Sequence, residues 1–229
     1  MIHLLPMLLA DDTHSDVLTN KSIDLLKTIK VFFVENVKTT RRYLSSLKLG
    51  IVIDDLTFYD VNSLTDYADL YNILINLDQD AGIISEAGCA GVADPGAFIV
   101  EVAHDINIGV KPLVGPNSIL LALMASGMNG QSFVFHGYLP IKEDERIKKL
   151  RLIEKEALAR KQTQIFMETP YRNNQMLVTI VKNLQGSTKL CIAADITSAS
   201  EFIKTKSISR WKKEGLPDIN KRPCIFLIF

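Results

Sequence analysis

Ser85-Glu86-Ala87-Gly88-Cys89-Ala90-Gly91-Val92-Ala93-Asp94-Pro95-Gly96 follows the short apolar run Ala81–Ile84, and that order sets the architecture. Four apolar residues in succession suit a buried strand, and the small residues after them leave backbone amides uncovered, so that a ligand can lie against the main chain. Asp94-Pro95-Gly96 then turns the chain into a helix. A second opening of the same kind, Gly115-Pro116-Asn117-Ser118, follows the apolar stretch 110–114 and precedes another helix. Two such turns predict one small-molecule cleft.

Outward from this loop the first half alternates regularly. Strands are expected at residues 2–9, 31–35, 51–59, 81–84 and 110–114, with helices at 21–30, 39–47, 64–76 and 95–105. Such β/α alternation implies a mainly parallel sheet with helices on both faces. The second half changes rhythm: after a helix at 118–125, strands at 133–138, 164–167, 190–194 and 225–228 are separated by two long helical stretches. Residues 132–138 alternate only weakly, which predicts a mixed sheet with helices. The expected fold class is α/β, in two α/β domains: 1–113 at the N-terminus and 114–229 at the C-terminus.

With 229 residues, 47% of them hydrophobic, the chain can bury a sizeable core. No apolar segment approaches the roughly 20 residues needed to span a bilayer. The start Met1-Ile2-His3-Leu4 lacks the basic lead of a signal peptide, so a cytoplasmic protein away from membranes is expected. Cys89, Cys191 and Cys224 are odd in number and widely spaced, which favours reduced thiols over disulfides or zinc. His3, His14, His104 and His136 show no metal-ligand spacing, and no metal is expected. GxSxG and P-loop motifs are absent. The glycines at 88, 91 and 96 follow the fourth predicted strand rather than the first, unlike a dinucleotide fingerprint.

The net charge of zero hides a division. Residues 1–113 hold 8 Lys+Arg against 16 Asp+Glu, and residues 114–229 hold 18 against 10. Basic residues gather at 142–161 and 204–213, a footprint suited to phosphate backbones. Glu143, Asp144, Glu145, Glu154 and Glu156 interleave with the first cluster, so a solvated helix face is the competing reading.

Six stretches carry a family resemblance. They are 33–36 with 39–42 (Phe-Val-Glu-Asn, Thr-Thr-Arg-Arg), 85–96, 112–118, 122–127 (Ala-Leu-Met-Ala-Ser-Gly), 135–140 (Phe-His-Gly-Tyr-Leu-Pro) and 166–172 (Phe-Met-Glu-Thr-Pro-Tyr-Arg). In this order, and over nearly the whole chain, they resemble the tetrapyrrole methylase superfamily of S-adenosylmethionine-dependent enzymes. Within it they are closest to the 16S rRNA 2′-O-ribose methyltransferases.

The resemblance implies a two-domain methylase, in a homodimer, with S-adenosylmethionine in the cleft between domains and ribosomal RNA or the small ribosomal subunit as partner. It places cofactor contacts on Pro6 and Leu8, on Gly88, Cys89 and Val92, on Asn117 and Ser118, and on Met167 and Ala193. Read without the family, Met167 and Ala193 are core strand residues. The sequence also departs from the pattern. Met7-Leu8-Leu9-Ala10 stands where a Gly-Asn-bearing first loop is usual, Cys89-Ala90 where Thr-Pro is usual, and Ala194-Asp195 where Arg-Glu is usual.

A sulfonium methyl donor is already a strong electrophile, so the protein must align the attacking oxygen and exclude water. A ribose hydroxyl nucleophile also calls for a base, and Glu35, Glu86, Glu168 and Asp195 are the candidates. Glu168 comes first, at the end of a predicted strand just before Thr169-Pro170; a structural salt bridge is the equally weighted alternative. The leading function is an RNA 2′-O-methyltransferase. The alternatives are a methylase of the same fold acting on a tetrapyrrole or other small molecule, and a weakly active cofactor-binding module.

Overall fold

The apolar runs of the first half become one parallel sheet in the computed structural model, which describes residues 1–64 and 66–229. Its strands are β1 (Ile2–Leu4), β2 (Val31–Val34), β3 (Thr57–Asp60), β4 (Ala81–Ile84) and β5 (Val110–Pro112), in the order β3-β2-β4-β1-β5. Every neighbouring pair is parallel. The helices between them are α1 (His14–Val17), α2 (Asn20–Thr28), α3 (Val37–Ser46), α4 (Tyr67–Ile75) and α5 (Gly96–Asp105).

Strands β2 and β4 are apolar at every position because both faces are covered. On one face Phe33 and Ile83 pack with Leu70 and Leu74 of α4 and Ile99 and Val102 of α5. On the other, Phe32, Val34 and Ile84 pack with Leu26 of α2 and Tyr43 and Leu44 of α3.

Three boundaries move by more than two residues from the sequence expectation, each for a local reason. The strand expected at 2–9 ends at Leu4, because the chain leaves the sheet at Pro6, which has no N–H to continue a ladder. The strand expected at 51–59 begins only at Thr57, after a 3₁₀ turn at Ile53–Asp55 that the adjacent Asp54 and Asp55 favour. The helix expected at 64–76 begins at Tyr67, since the Asp66 side chain caps it by accepting from Ala68 N and Asp69 N. Thr65, within that expected span, lies outside the described residues.

The second half adds α6 (Ser118–Ser126), β6 (Phe133–Tyr138), α7 (Glu143–Arg160), β7 (Thr163–Met167), α8 (Asn173–Asn183), β8 (Lys189–Ala194), β9 (Phe202–Ser207), α9 (Ile208–Glu214) and β10 (Cys224–Ile228). The sheet order is β6-β7-β10-β8-β9. Only β6 and β7 are parallel; the other pairs are antiparallel, so the sheet is mixed. Leu150 and Ile153 of α7, Met176 and Ile180 of α8, and Trp211 of α9 pack with Phe166, Ile192 and Phe226 on one face. Helix α6 packs against β9 and β10, and Thr205 Oγ1 donates to Ser126 O at 2.7 Å. The chain divides into two compact units, Met1–Asn117 and Ser118–Phe229.

Segment 204–213, read from sequence only as a basic cluster, contains most of β9 and α9. Strand β9 is the sheet edge, and its Lys204 and Lys206 suit a position where an unprotected ladder invites aggregation.

Candidate functional site

In the parallel sheet, β1 and β4 lie side by side, yet the chain runs from β1 to β2 beyond β4, and from β4 to β5 beyond β1. Their carboxyl ends therefore form a topological switch point, where open α/β sheets place ligands. Three loops meet there. Pro6 forms an isolated antiparallel bridge with Cys89, and Met7 N donates to Gly88 O at 2.8 Å. Cys89 Sγ lies 3.5 Å from Gly115 O and 3.3 Å from Pro116 O, and its thiol is also hydrogen-bonded with the Asn117 side chain.

Small residues are required by this closeness. A Cβ on Gly115 would stand 2.1 Å from Pro6 Cβ, and one on Gly88, whose φ is +74°, would stand 3.2 Å from Pro116 O. The glycine loop is itself braced by Asp94, which accepts from Gly91 N at 2.8 Å and Gly96 N at 2.7 Å. Burial pushes the Cys89 thiol above its ordinary value, and the Asn117 side chain opposes that shift.

Beside these loops lies a cavity of about 600 Å³, lined among others by Leu8, Asp11, Asp12, Arg42, Tyr43 and Glu86. That volume falls in the range typical of small-molecule sites. Helix α3 contributes Thr39, Arg42, Tyr43 and Ser46, which share one face at i, i+3, i+4 and i+7. Tyr43 Oη donates to Pro6 O at 2.9 Å in a buried bond, and burial raises its hydroxyl well above the usual phenol value, keeping it a donor. Thr39 and Arg42 belong to the stretches that carry the family resemblance, which gives them no place in the cavity wall. Helical spacing on the face next to a Pro-containing loop is the signal that could have found them.

Glu35, at the end of β2, accepts from Glu86 N at 3.0 Å. Burial raises its carboxyl above the ordinary value, the Glu86 amide opposes that shift, and the Glu86 and Asp94 charges add to it. Glu86 itself lines the cavity. Val92 stands on the glycine loop with 46% exposure.

In Ser118–Phe229, Tyr138, Met167, Ile225 and Ala193 stand in one row across β6, β7, β10 and β8. Residues in one row point to one face, so Met167 and Ala193 share a side of the sheet. Ala193 is fully buried and Met167 half-buried. Ser118 is the first residue of α6.

Glu168 follows Met167 and is 4% exposed. Its Oε1 accepts from Thr169 N at 2.7 Å and from Arg172 Nε and Nη2 at 3.1 and 2.5 Å. Oε2 has no hydrogen-bond partner among the described residues. Asp195 is engaged by Arg222 Nε at 2.7 Å and Ser200 Oγ at 2.8 Å.

The basic surface is smaller than the sequence count. Arg146 is 2% exposed, with Nη1 donating to Ile141 O at 2.7 Å. Lys206 is committed to Glu214 at 2.9 Å and to the Trp211 ring at 4.3 Å. Among the described residues no group of three or more His, Cys, Asp or Glu is placed to hold a metal ion, and the three cysteines are free. No described helix is long and apolar enough to cross a membrane.

No family model matches the chain. It is similar to the ribosomal RNA small subunit methyltransferase I of Buchnera aphidicola subsp. Schizaphis graminum, with 29% identity over 217 residues, 93% of this chain and 73% of that protein. Proteins of the same name from Mesorhizobium japonicum and Bacillus subtilis are 36% and 29% identical over 57% and 82% of the chain. The chain spans less than two thirds of their lengths, 43% and 62%. The solved structures that share the fold include two that are methyltransferases by name. They are the methyltransferase CobJ (TM-score 0.62, 13% identity, 99% of this chain and 92% of that one) and a uroporphyrin-III C-methyltransferase from Thermus thermophilus (TM-score 0.55, 15% identity, 99% and 93%).

Proposed function

We propose, from the chain's place as a divergent member of the tetrapyrrole methylase superfamily beside the small-subunit rRNA methyltransferases I, that it is an S-adenosylmethionine-dependent enzyme that 2′-O-methylates a ribose of small-subunit ribosomal RNA. One observation carries the reading: side-chain-poor loops meet at the switch point, where Pro6, Gly88, Cys89 and Asn117 are drawn together with Gly115 tight against Pro6, and a cavity of about 600 Å³ opens beside them. A cavity of that size next to uncovered main chain suits a nucleoside.

When bound, the cofactor supplies an electrophilic methyl group. Pro6, Leu8, Gly88, Cys89, Val92, Asn117, Ser118, Met167 and Ala193 are its proposed contacts. Ala193 is fully buried and carries no polar side-chain group. Glu168 is the proposed base: Arg172 and the Thr169 amide hold Oε1, which orients Oε2 to accept the ribose hydroxyl proton. A cytoplasmic homodimer belongs to the same reading.

The test is to incubate the purified protein with methyl-labelled cofactor and hypomethylated 30S subunits, then map the label. The expected result is one labelled ribose, with Glu168→Gln slowing turnover about 100-fold at unchanged cofactor affinity. Label that appears on a tetrapyrrole acceptor and never on rRNA transfers the reading to the small-molecule methylases. Full turnover in Glu168→Gln removes Glu168 from the mechanism.

A further inference from the structure

Beyond β7 stands an aromatic residue that neither the core nor the methyl-transfer chemistry uses. Tyr171 is 76% exposed, at the centre of the 3₁₀ turn Pro170–Arg172. The turn is held firmly from two directions. Lys221 N donates to Pro170 O and Arg172 N to Thr169 O, both at 2.9 Å. Just beyond the turn, Asn173 Nδ2 donates to Arg222 O at 2.6 Å, and Asn174 Oδ1 accepts from Ile219 N at 2.9 Å. The ring is therefore presented on an ordered support, and binding there has little left to order.

The surroundings select the occupant. The Lys221 ammonium stands 5.9 Å from the Tyr171 ring centroid and has no carboxylate partner among the described residues. A second exposed aromatic, Tyr138 (58% exposed), lies in register with Met167 on the neighbouring strand. Residues 118–229 hold 18 Lys+Arg against 10 Asp+Glu, so this unit attracts a polyanion. A bare aromatic ring with an unpaired cation beside it, on a basic unit, matches the stacking-plus-phosphate pattern of single-strand recognition.

We infer that Tyr171 is a stacking platform for a base of the substrate RNA, with Lys221 on the adjoining phosphate. The inference rests on the rRNA methyltransferase reading, and it places an RNA contact three residues from Glu168. A splayed, unpaired base is what this surface takes, so the target nucleotide lies in a single-stranded segment.

The test uses the full chain, a fluorescent single-stranded RNA oligonucleotide read by anisotropy, and labelled methyl transfer to 30S subunits. Tyr171→Ala is expected to weaken RNA binding and raise KM for the subunit about tenfold, leaving cofactor affinity unchanged by calorimetry. Tyr171→Phe and Tyr171→Trp are expected to stay within about twofold of the parent. Lys221→Ala is expected to make the salt slope of RNA binding shallower by about 0.7. If Tyr171→Ala keeps the parent's RNA affinity and KM while the parent methylates rRNA, the platform is wrong and the methyltransferase reading stands. A loss that Phe and Trp fail to restore also overturns it, since the residue is then structural. A parent protein that binds neither RNA nor transfers methyl to it removes both.

Discussion

At the residue scale the two glutamates at the strand ends are held in opposite ways. Glu168 is clamped by a guanidinium. Glu35 is half-buried with Glu86 and Asp94 nearby, and only the Glu86 amide favours its charge, so its carboxyl is raised. A carboxyl with a raised folded-state value is less stable ionised in the native state than in the unfolded chain. The penalty is fully present above the raised folded value, shrinks as pH falls through it, and vanishes below the ordinary value of about 4.3. Glu35→Gln keeps an oxygen for the Glu86 amide while removing the buried charge. It is therefore expected to raise the melting temperature at pH 7, with the difference from the parent closing by about pH 4. Equal melting temperatures at pH 7, or a gap that widens in acid, contradict this account.

At the element scale, α3 links the fold to the candidate site. Its N-cap Asn36 accepts from Thr39 N at 3.0 Å, and one turn further on Tyr43 holds the carbonyl of Pro6. Replacing the cap, as in Asn36→Ala, typically costs about 1 kcal/mol. For a chain of this size that is about 2–4 °C in melting temperature. Because α3 carries the anchor of the first loop, weaker cofactor binding is expected alongside; a cofactor affinity equal to the parent's would detach α3 from the site. The same element illustrates what sequence conveys. The switch-point loops are legible because small residues after an apolar run have few other uses, as at 85–96 and 115–118. Strand β9 is not legible, since an edge strand needs only one apolar face and tolerates the lysines that mask its period. The bond from Tyr43 to Pro6 is equally hidden, because it joins residues 37 positions apart. Arg146 looks like surface charge, and its burial depends on packing that no local pattern encodes.

At the scale of the whole molecule, charge is sorted by unit. The four residues 114–117 carry no charge, so the division at Asn117 and Ser118 preserves 8 basic against 16 acidic residues in one unit and 18 against 10 in the other. A molecule of zero net charge would ordinarily show little attraction to a polyanion, and only such sorting lets one unit attract phosphate while the other repels it. Burial of Arg146 and commitment of Lys206 reduce the free basic surface but leave Lys148, Lys155, Arg160, Lys204, Lys212 and Lys213 exposed. Contact with roughly four phosphates of a single strand gives a slope of about −3 in the logarithm of affinity against the logarithm of salt concentration. Titration of small-subunit RNA fragments between 50 and 200 mM salt is therefore expected to lose about 60-fold in affinity, roughly the fourfold salt change raised to that slope. A tetrapyrrole-type acceptor recognised by an apolar cleft predicts a nearly flat line, so a flat titration would count against RNA as the substrate while leaving the fold and the proposed cofactor site untouched.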